Sequence, residues 1–234
     1  MAGLVRAAAS PASAIKTGSA TGTGAAAIDA ALPWGGLPSG LHEIAGASGD
    51  AAAAGFAAVL LAGRPGPVLW CRTRRAAVED GGAYGMGLAA FGLASERLIL
   101  VEADKPAELF WAMEEGLRAG RGASVVGEGA MPDLTASRRL QLAAEANEGM
   151  ALLLPPVSVA ARAPPIAAVT RWLATSAPSV PEAEGPGFPR WRLALRRCRG
   201  GGRPQEWMVE WNDAALSLSL VPALADRPLA AAAG

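Results

Sequence analysis

The side chains that most often carry catalysis are sparse in this sequence. Glu114 and Glu115 are adjacent carboxylates, but neighbouring helix positions point about 100° apart and do not share a substrate. His42 is the sole histidine and has no cysteine or acid at a metal-ligand spacing, so we interpret it as a structural hydrogen-bonding residue. Cys71 and Cys198 fall in apolar or alternating segments, as expected of buried, unreactive thiols. With no Gly-x-Ser-x-Gly motif either, we predict no catalytic residues and no metal site.

Arginine is concentrated near the end of the chain. The cluster comprises Arg190, Arg192, Arg196, Arg197, Arg199 and Arg203. A guanidinium group pairs bidentately with phosphate or carboxylate and stacks on bases or Trp. Glu206 and Glu210 are candidates for cross-strand pairing, but two acids cannot neutralise six arginines. We expect a surface for an acidic protein partner, with any DNA contact weak and confined to this patch; the alternative is that the arginines serve the hairpin itself.

Further surface candidates lie elsewhere in the chain. Arg138 and Arg139 are adjacent on a predicted helix. The proline-stiffened segment 155–165 carries one Arg and is a candidate docking loop. Trp34 is either an exposed anchor for a partner or a plug at the base of the sheet.

Composition excludes several classes of protein. The 234 residues hold 21 Lys or Arg against 21 Asp or Glu, with a pI near 6.6, which argues against binding driven mainly by phosphate neutralisation. One His and 2 Cys exclude most zinc frameworks and a disulfide scaffold. No stretch approaches the roughly 18 apolar residues of a membrane span, and the opening lacks the apolar core of a secretory signal. Since two distant cysteines suit a reducing compartment, we expect a cytoplasmic protein with no membrane contact.

Short apolar segments alternate with amphipathic ones through most of the chain. Buried strands are predicted at residues 67–71, 97–101, 123–126 and 150–154. Asp104 is predicted to cap the helix after the second of these strands, and Asp133 or Thr135 the helix after the third. This alternation is typical of an α/β fold, a mostly parallel sheet flanked by helices.

The two ends and the last third of the chain differ from this pattern. Alternating segments at 169–173, 190–199 and 206–211 predict an antiparallel C-terminal hairpin, with a loop at 177–189. Residues 1–27, rich in Ala, Gly, Ser and Thr, are predicted to be a flexible leader, and 228–234 a flexible tail. A single domain at 28–227 remains.

Three segments resemble, in order, the core of the RecA recombinase. The first contains Ile28-Asp29-Ala-Ala-Leu32, Gly35-Gly-Leu-Pro-Ser-Gly40 and His42-Glu-Ile-Ala-Gly46, similar to the approach to the RecA phosphate loop. Residues 84–101 resemble the helix and strand after the second core strand, and 104–128 the next helix and the strand of the second ATP motif. The resemblance implies a RecA-like core.

The nucleotide site that this resemblance implies is degenerate. A working phosphate loop reads G-x-x-x-x-G-K-[ST], in which glycine backbone, lysine and hydroxyl hold the phosphates and Mg²⁺. In this chain Gly46 is kept, but the second glycine, the lysine and the threonine are replaced by Ala51, Ala52 and Ala53. Asp50 puts a negative charge where phosphate would sit, and the two lysines are elsewhere, at Lys16 and Lys105. The residues of the degenerate loop are Gly46, Gly49, Asp50, Ala52 and Ala53, and we expect no nucleotide cofactor.

The second ATP motif is equally doubtful. Its carboxylate position falls on Glu128, which we expect to cap a turn or meet an arginine rather than hold Mg²⁺. The catalytic glutamate should follow the strand ending at Cys71, where 72–77 carry no acid; Glu79 and Asp80 are the nearest. We therefore predict that the chain does not hydrolyse ATP.

A closer resemblance is to the ImuA family of RecA-related SOS mutagenesis proteins. Its signatures are Trp111-Ala-Met-Glu-Glu115, Val125-Val-Gly-Glu128, 133–143 and 191–200, in the family's order. The family implies a DNA-damage-induced accessory factor for error-prone synthesis. The implied partners are the Y-family-like protein ImuB and a paralogue of the polymerase III alpha subunit, with RecA as a further candidate.

We therefore expect a non-catalytic adaptor of translesion DNA synthesis. Two alternatives stay open. One is a SulA-like cell-division inhibitor, which is also RecA-related and lacks a phosphate loop; the 133–143 segment argues against it. The other is a RecA-like ATPase with an atypical loop, which nucleotide protection against unfolding would reveal.

Overall fold

The computed structural model describes residues 20–181 and 187–221, and these form one nine-stranded sheet with helices on both faces. The strands are β1 Gly40–Ala45, β2 Val68–Thr73, β3 Leu98–Ala103, β4 Ser124–Glu128, β5 Met150–Leu154, β6 Thr170–Ala177, β7 Arg190–Cys198, β8 Gln205–Asn212 and β9 Ser217–Leu220. The helices are α1 Ala26–Ala31, α2 Ala52–Ala62, α3 Arg74–Asp80, α4 Gly85–Ala89, α5 Pro106–Arg118, α6 Leu134–Ala146 and α7 Val157–Ala160. In this part of the chain, no helix is long and apolar enough to cross a bilayer.

The sheet order is β3-β2-β4-β5-β1-β6-β7-β8-β9. The first six strands in this order are parallel, and β6 to β9 pair antiparallel. The four predicted strands and the predicted hairpin of β7 and β8 are confirmed. The predicted burial is wrong for β3, because it lies at the edge of the sheet, where Ile99 and Leu100 are 52% and 55% exposed. The edge strand β9 was not predicted. Because parallel strands end at the same edge, the loops after β1, β2, β4 and β5 meet there.

Two hydrophobic clusters cover the two faces of the sheet. One contains α2 and a group of aromatic side chains, including Phe56 and Trp172 in edge-to-face contact at 5.7 Å. The other holds α5 and α6 against the opposite face, with Met113 and Leu140 fully or almost fully buried. α2 lies close to the sheet because its buried positions are mostly Ala and Gly. A Cβ on Gly55 would come within 2.6 Å of the Trp191 ring.

The amino-terminal boundary of the fold lies earlier than predicted. The backbones of Thr21 and Leu37 exchange two hydrogen bonds of 2.8 Å, and the Thr23 N–H donates to the Asp29 carboxylate at 2.8 Å. Thr23 is fully buried. The prediction of a flexible leader is therefore wrong for residues 20–27, because this segment has backbone and side-chain partners in the domain. Residues 1–19, the predicted tail and residues 182–186 of the predicted loop lie outside the described residues.

Of the two predicted helix caps, the one for α6 is confirmed and the one for α5 is wrong. Asp133 caps α6, since its carboxylate accepts the Ala136 N–H at 2.7 Å. The prediction for Asp104 is wrong, because Lys105 occupies the cap position of α5 in extended conformation. Pro106 at the first helical position imposes that conformation on the residue before it. The Asp104 carboxylate instead accepts a hydrogen bond from Arg74 at 2.7 Å.

Candidate functional site

A cavity of about 340 Å³ opens where β1, β2, β4 and β5 end. Its floor is the loop between β1 and α2, and its walls come from the β2–α3 and α3–α4 segments and the start of the β5–α7 connection. Four charged side chains line it: Asp50, Arg72, Asp80 and Glu128. This is the place at which an open parallel sheet binds its ligand, and it coincides with the predicted degenerate phosphate loop.

Asp50 accepts hydrogen bonds from the start of α2 and from Ser176 on β6. Its carboxylate accepts the Ala52 N–H at 2.9 Å, the Ser176 N–H at 2.9 Å and the Ser176 hydroxyl at 2.6 Å. Burial alone raises the pKa of Asp50, but the hydrogen bonds from Ser176 and Ala52 outweigh it and hold the pKa below its usual value. The amino end of a helix attracts anions, and here a side chain of the protein already supplies one.

Alanines occupy the positions at which a working phosphate loop has its lysine and its hydroxyl residue. Ala52 and Ala53 are 1% and 7% exposed, so the positions of the lysine and the hydroxyl hold buried methyl groups. Gly46 donates its N–H to the Pro155 carbonyl at 3.3 Å and accepts the Val157 N–H at 2.7 Å, which ties the loop to the segment after β5. Neither an ammonium group nor a hydroxyl from positions 52 and 53 reaches the cavity.

Glu128 lies in the cavity wall but is already engaged. Its Oε2 accepts the Trp70 indole N–H at 3.0 Å and lies 3.8 Å from the Arg72 guanidinium, whose side chain is 5% exposed. The structure thus shows the arginine contact that was predicted for Glu128. Arg72 Nε has no hydrogen-bond partner among the described residues and is itself shielded from the cavity.

Asp80 lines the cavity. From the sequence it was identified only as one of the two acids nearest to the expected position of the catalytic glutamate. β2 continues past Cys71 to Thr73, whose hydroxyl caps α3 by accepting the Ala76 N–H at 3.2 Å. At the end of α3, Asp80 accepts the Gly49 N–H at 3.1 Å, whereas Glu79 pairs with Arg75 in solvent. Among the described residues, the cavity is therefore lined by three carboxylates and one guanidinium group.

His42 has a structural role, as predicted. Its ring is fully buried, and burial lowers its pKa to about 4. Nε2 lies 2.8 Å from the Pro38 carbonyl, which can only accept, so Nε2 carries the proton and Nδ1 accepts from the Thr170 hydroxyl at 2.8 Å. Trp172 donates its indole N–H to the same hydroxyl at 2.8 Å, completing a chain that links β1 to β6.

Cys71 is buried, as predicted, whereas Cys198 is half-buried. Burial raises the pKa of Cys71 to about 12 and also raises that of Cys198. Within residues 20–181 and 187–221, no three His, Cys, Asp or Glu side chains come together as metal ligands could.

The Glu114-Glu115 pair and the Arg138-Arg139 pair belong largely to one ion-pair network. Glu114 is 4% exposed and binds both Arg118 and Arg139, the latter at 2.6 Å. Arg139 therefore ties α6 to α5 rather than facing a partner freely. Arg138 is exposed and makes no ion pair in the part of the chain that the structure describes.

The predicted arginine cluster separates into two ends of the hairpin. Arg190 pairs with Glu210 at 2.5 Å and Arg192 with Glu206 at 3.3 Å, as the cross-strand alternative predicted. The far end of the hairpin carries Arg196, Arg197, Arg199 and Arg203. Of these, Arg199 donates to the Ala167 carbonyl at 2.9 Å, and the other three are exposed without an ion pair among the described residues. The predicted six-residue surface is thus reduced to three unpaired arginines.

Trp34 lies beside that same end of the hairpin. Its indole is half-buried, and its six-membered ring passes 3.1 Å from the position that a Cβ on Gly200 would take. The side chain is therefore not an isolated exposed anchor. It packs against the turn that joins β7 to β8.

The sheet order and the cavity at the strand ends define a RecA-like α/β protein with a degenerate phosphate loop. A solved structure of the RadB recombinase is similar to this chain with a TM-score of 0.55 at 15% identity, covering 86% of this chain and 99% of that one. Two curated relatives, both named Protein ImuA and both from Caulobacter vibrioides (strains NA1000 / CB15N and ATCC 19089 / CIP 103742 / CB 15), are 38% identical to it over 230 residues. Each match covers 89% of this chain and 91% of the relative. The chain belongs to the ImuA family. No protein-family model matches it.

Proposed function

We propose that this chain is a non-catalytic adaptor of SOS-induced translesion DNA synthesis in the cytoplasm. Membership of the ImuA family indicates a role in SOS mutagenesis. Within that role the chain binds an ImuB-like Y-family protein, and RecA and an error-prone polymerase III alpha paralogue are its further partners. It does so without binding or hydrolysing ATP.

The carboxylate of Asp50 at the start of α2 is the observation that carries this proposal. It accepts the Ala52 N–H, a helix-start donor of the kind that binds phosphate, and the described lining of the cavity has more negative than positive side chains. A phosphate in the cavity would lie beside the carboxylates of Asp50, Asp80 and Glu128. A RecA-like domain that does not bind or hydrolyse ATP still has surfaces that can bind other proteins, and an adaptor needs only such surfaces.

The test is a binding assay with the purified ImuB-like protein, in the presence and absence of Mg²⁺ and ATP. The proposal predicts one affinity under both conditions, and loss of damage-induced mutagenesis when the gene is deleted. Binding that requires ATP would favour the ATPase alternative. The SulA-like alternative would be favoured if the chain failed to bind this protein and instead inhibited filament growth of the bacterial cell-division GTPase in a sedimentation assay.

A further inference from the structure

The far end of the β7–β8 hairpin carries positive charge that the fold does not use. We call Arg196, Arg197 and Arg203 the arginine turn. All three are exposed, and none makes an ion pair among residues 20–181 and 187–221. The acids of β8 do not neutralise this charge, because Glu206 pairs with Arg192 and Glu210 with Arg190.

Strand register holds the members of the arginine turn close together. Arg197 lies opposite Arg171 on β6, whereas the next pair is Leu195 with Trp172, so Arg196 is the extra residue of a β-bulge. The last pair of β7 with β8 is Leu195 with Gln205, which brings Arg203 back beside the end of β7. The three side chains therefore start from a hairpin end that is anchored in the sheet on both sides.

The neighbouring acid on the β6 side is also engaged. Glu43 is buried and accepts two hydrogen bonds from Arg171, at 2.8 and 3.0 Å. Arg197, opposite Arg171, consequently has no carboxylate partner in the described part of the chain. Trp34 borders the turn at Gly200 and leaves part of its indole accessible. Unpaired guanidinium groups beside a rigid aromatic ring are a combination enriched at protein interfaces.

We propose that the arginine turn, with Trp34, docks a short acidic segment of a partner protein. The identification of the partner as a protein rests on the adaptor function proposed above. Carboxylates satisfy guanidinium groups bidentately, and an apolar residue of the same segment packs on the indole. Nucleic acid fits less well, because the unpaired positive charge is limited to three side chains and the neighbouring Arg192 is paired with Glu206. Three phosphate contacts support only weak, salt-sensitive binding.

The experiment measures fluorescence anisotropy with the full chain and two labelled probes at low and physiological salt. One probe is a peptide of about twelve residues in which Asp or Glu alternates with Leu, and the other is an oligo(dT) of about 20 nucleotides. The triple variant Arg196→Ala/Arg197→Ala/Arg203→Ala is compared with Arg190→Ala/Arg192→Ala, which removes arginines of the same hairpin that are already paired. Thermal unfolding verifies that both variants are folded.

The proposal predicts that the triple variant binds the peptide about tenfold more weakly and the paired-arginine variant within about twofold of wild type. Trp34→Ala weakens peptide binding several-fold as well. Equal peptide affinity for wild type and triple variant overturns the proposal. Tighter binding of the oligonucleotide than of the peptide, lost in the triple variant, also overturns it and assigns the surface to nucleic acid. Neither outcome affects the test of the adaptor function, which measures whether the ImuB-like protein binds equally well with and without ATP.

Discussion

The Asp50 carboxylate and Ser176, 126 residues later in the chain, are joined by two hydrogen bonds of 2.9 and 2.6 Å. They connect the start of α2 to β6, across the place where the phosphate loop of an ATPase would be open. The Asp50 carboxylate is thus a structural link in this fold.

Replacing Asp50 with Ala should destabilise the protein by about 1–2 kcal/mol, because the start of α2 loses its acceptor and Ser176 loses its partner. Ser176→Ala should cost less, and the double variant little more than Asp50→Ala alone. Urea unfolding measures all three. Ser48→Ala, at an exposed position of the same loop, is the matched control and should change stability by less than about 0.5 kcal/mol. Additive effects of the two substitutions would show that the link is not energetically coupled.

Stability should fall as the pH is lowered from about 6.5 to about 4, because of His42. Its folded pKa is about 4 against an ordinary value of 6.5. In this window the unfolded chain binds a proton that the folded chain does not, so the free energy of unfolding decreases with falling pH. The full contribution is on the order of 3 kcal/mol.

His42 is the sole histidine, so its NMR titration is free of overlap. The imidazole signal of the folded protein should stay in the neutral form down to about pH 5. His42→Gln should flatten the pH dependence of unfolding between 4 and 6.5, while Ser95→Ala on the surface should leave it unchanged. A histidine that titrates near 6.5 in the folded state would contradict the buried hydrogen-bond chain.

Arg139 should matter to stability more than its neighbour Arg138. Arg139→Ala leaves the buried Glu114 with Arg118 alone and weakens the contact between α5 and α6, so we expect a loss of about 1 kcal/mol or more. Arg138→Ala should change stability by less than about 0.5 kcal/mol, since its side chain is exposed. Equal effects in urea unfolding would mean that the Glu114 network does not hold the two helices together.

Gly129 borders the cavity and should not tolerate a side chain. Its φ of +84° is strained for other residues, and an added Cβ would lie 2.4 Å from the Cβ of Ala76. Gly129→Ala should therefore cost about 2 kcal/mol or more. Gly120→Ala is the matched control, because a Cβ there meets no atom within 4 Å. Thermal unfolding distinguishes the two, and a neutral Gly129→Ala would contradict the close approach of α3 to this turn.

Much of the fold could be predicted from local pattern. The apolar segments of β2, β4 and β5 are short and bounded by turns, so their existence followed from periodicity. The end of the flexible leader could not be predicted, because Thr21 and Thr23 are ordered by partners at Leu37 and Asp29 rather than by hydrophobic burial of their own. β9 was missed for a similar reason, since a four-residue strand depends on the pairing that β8 offers.

The missing phosphate-binding residues of the candidate site could be predicted from the sequence, but the contacts among its side chains could not. Missing phosphate-binding groups can be read directly from positions 51–53, and the charge of Asp50 with them. The partners of Asp50 and Asp80, by contrast, come from distant segments that only the folded sheet brings together. The division of the arginines into paired and unpaired ends likewise depended on register, because the bulge at Arg196 cannot be seen in the alternation of the sequence.

We expect that the cavity at the strand ends does not accept a nucleoside triphosphate, and thermal unfolding with Mg²⁺ and ATP measures this. We predict a melting temperature within about 1 °C of the nucleotide-free value at millimolar ATP. A site with a dissociation constant about 100-fold below the ATP concentration would add about 2.7 kcal/mol and raise the melting temperature by about 5 °C or more. An increase of that size, removed by Asp50→Ala or Glu128→Gln in a folded variant, would show that this cavity binds ATP.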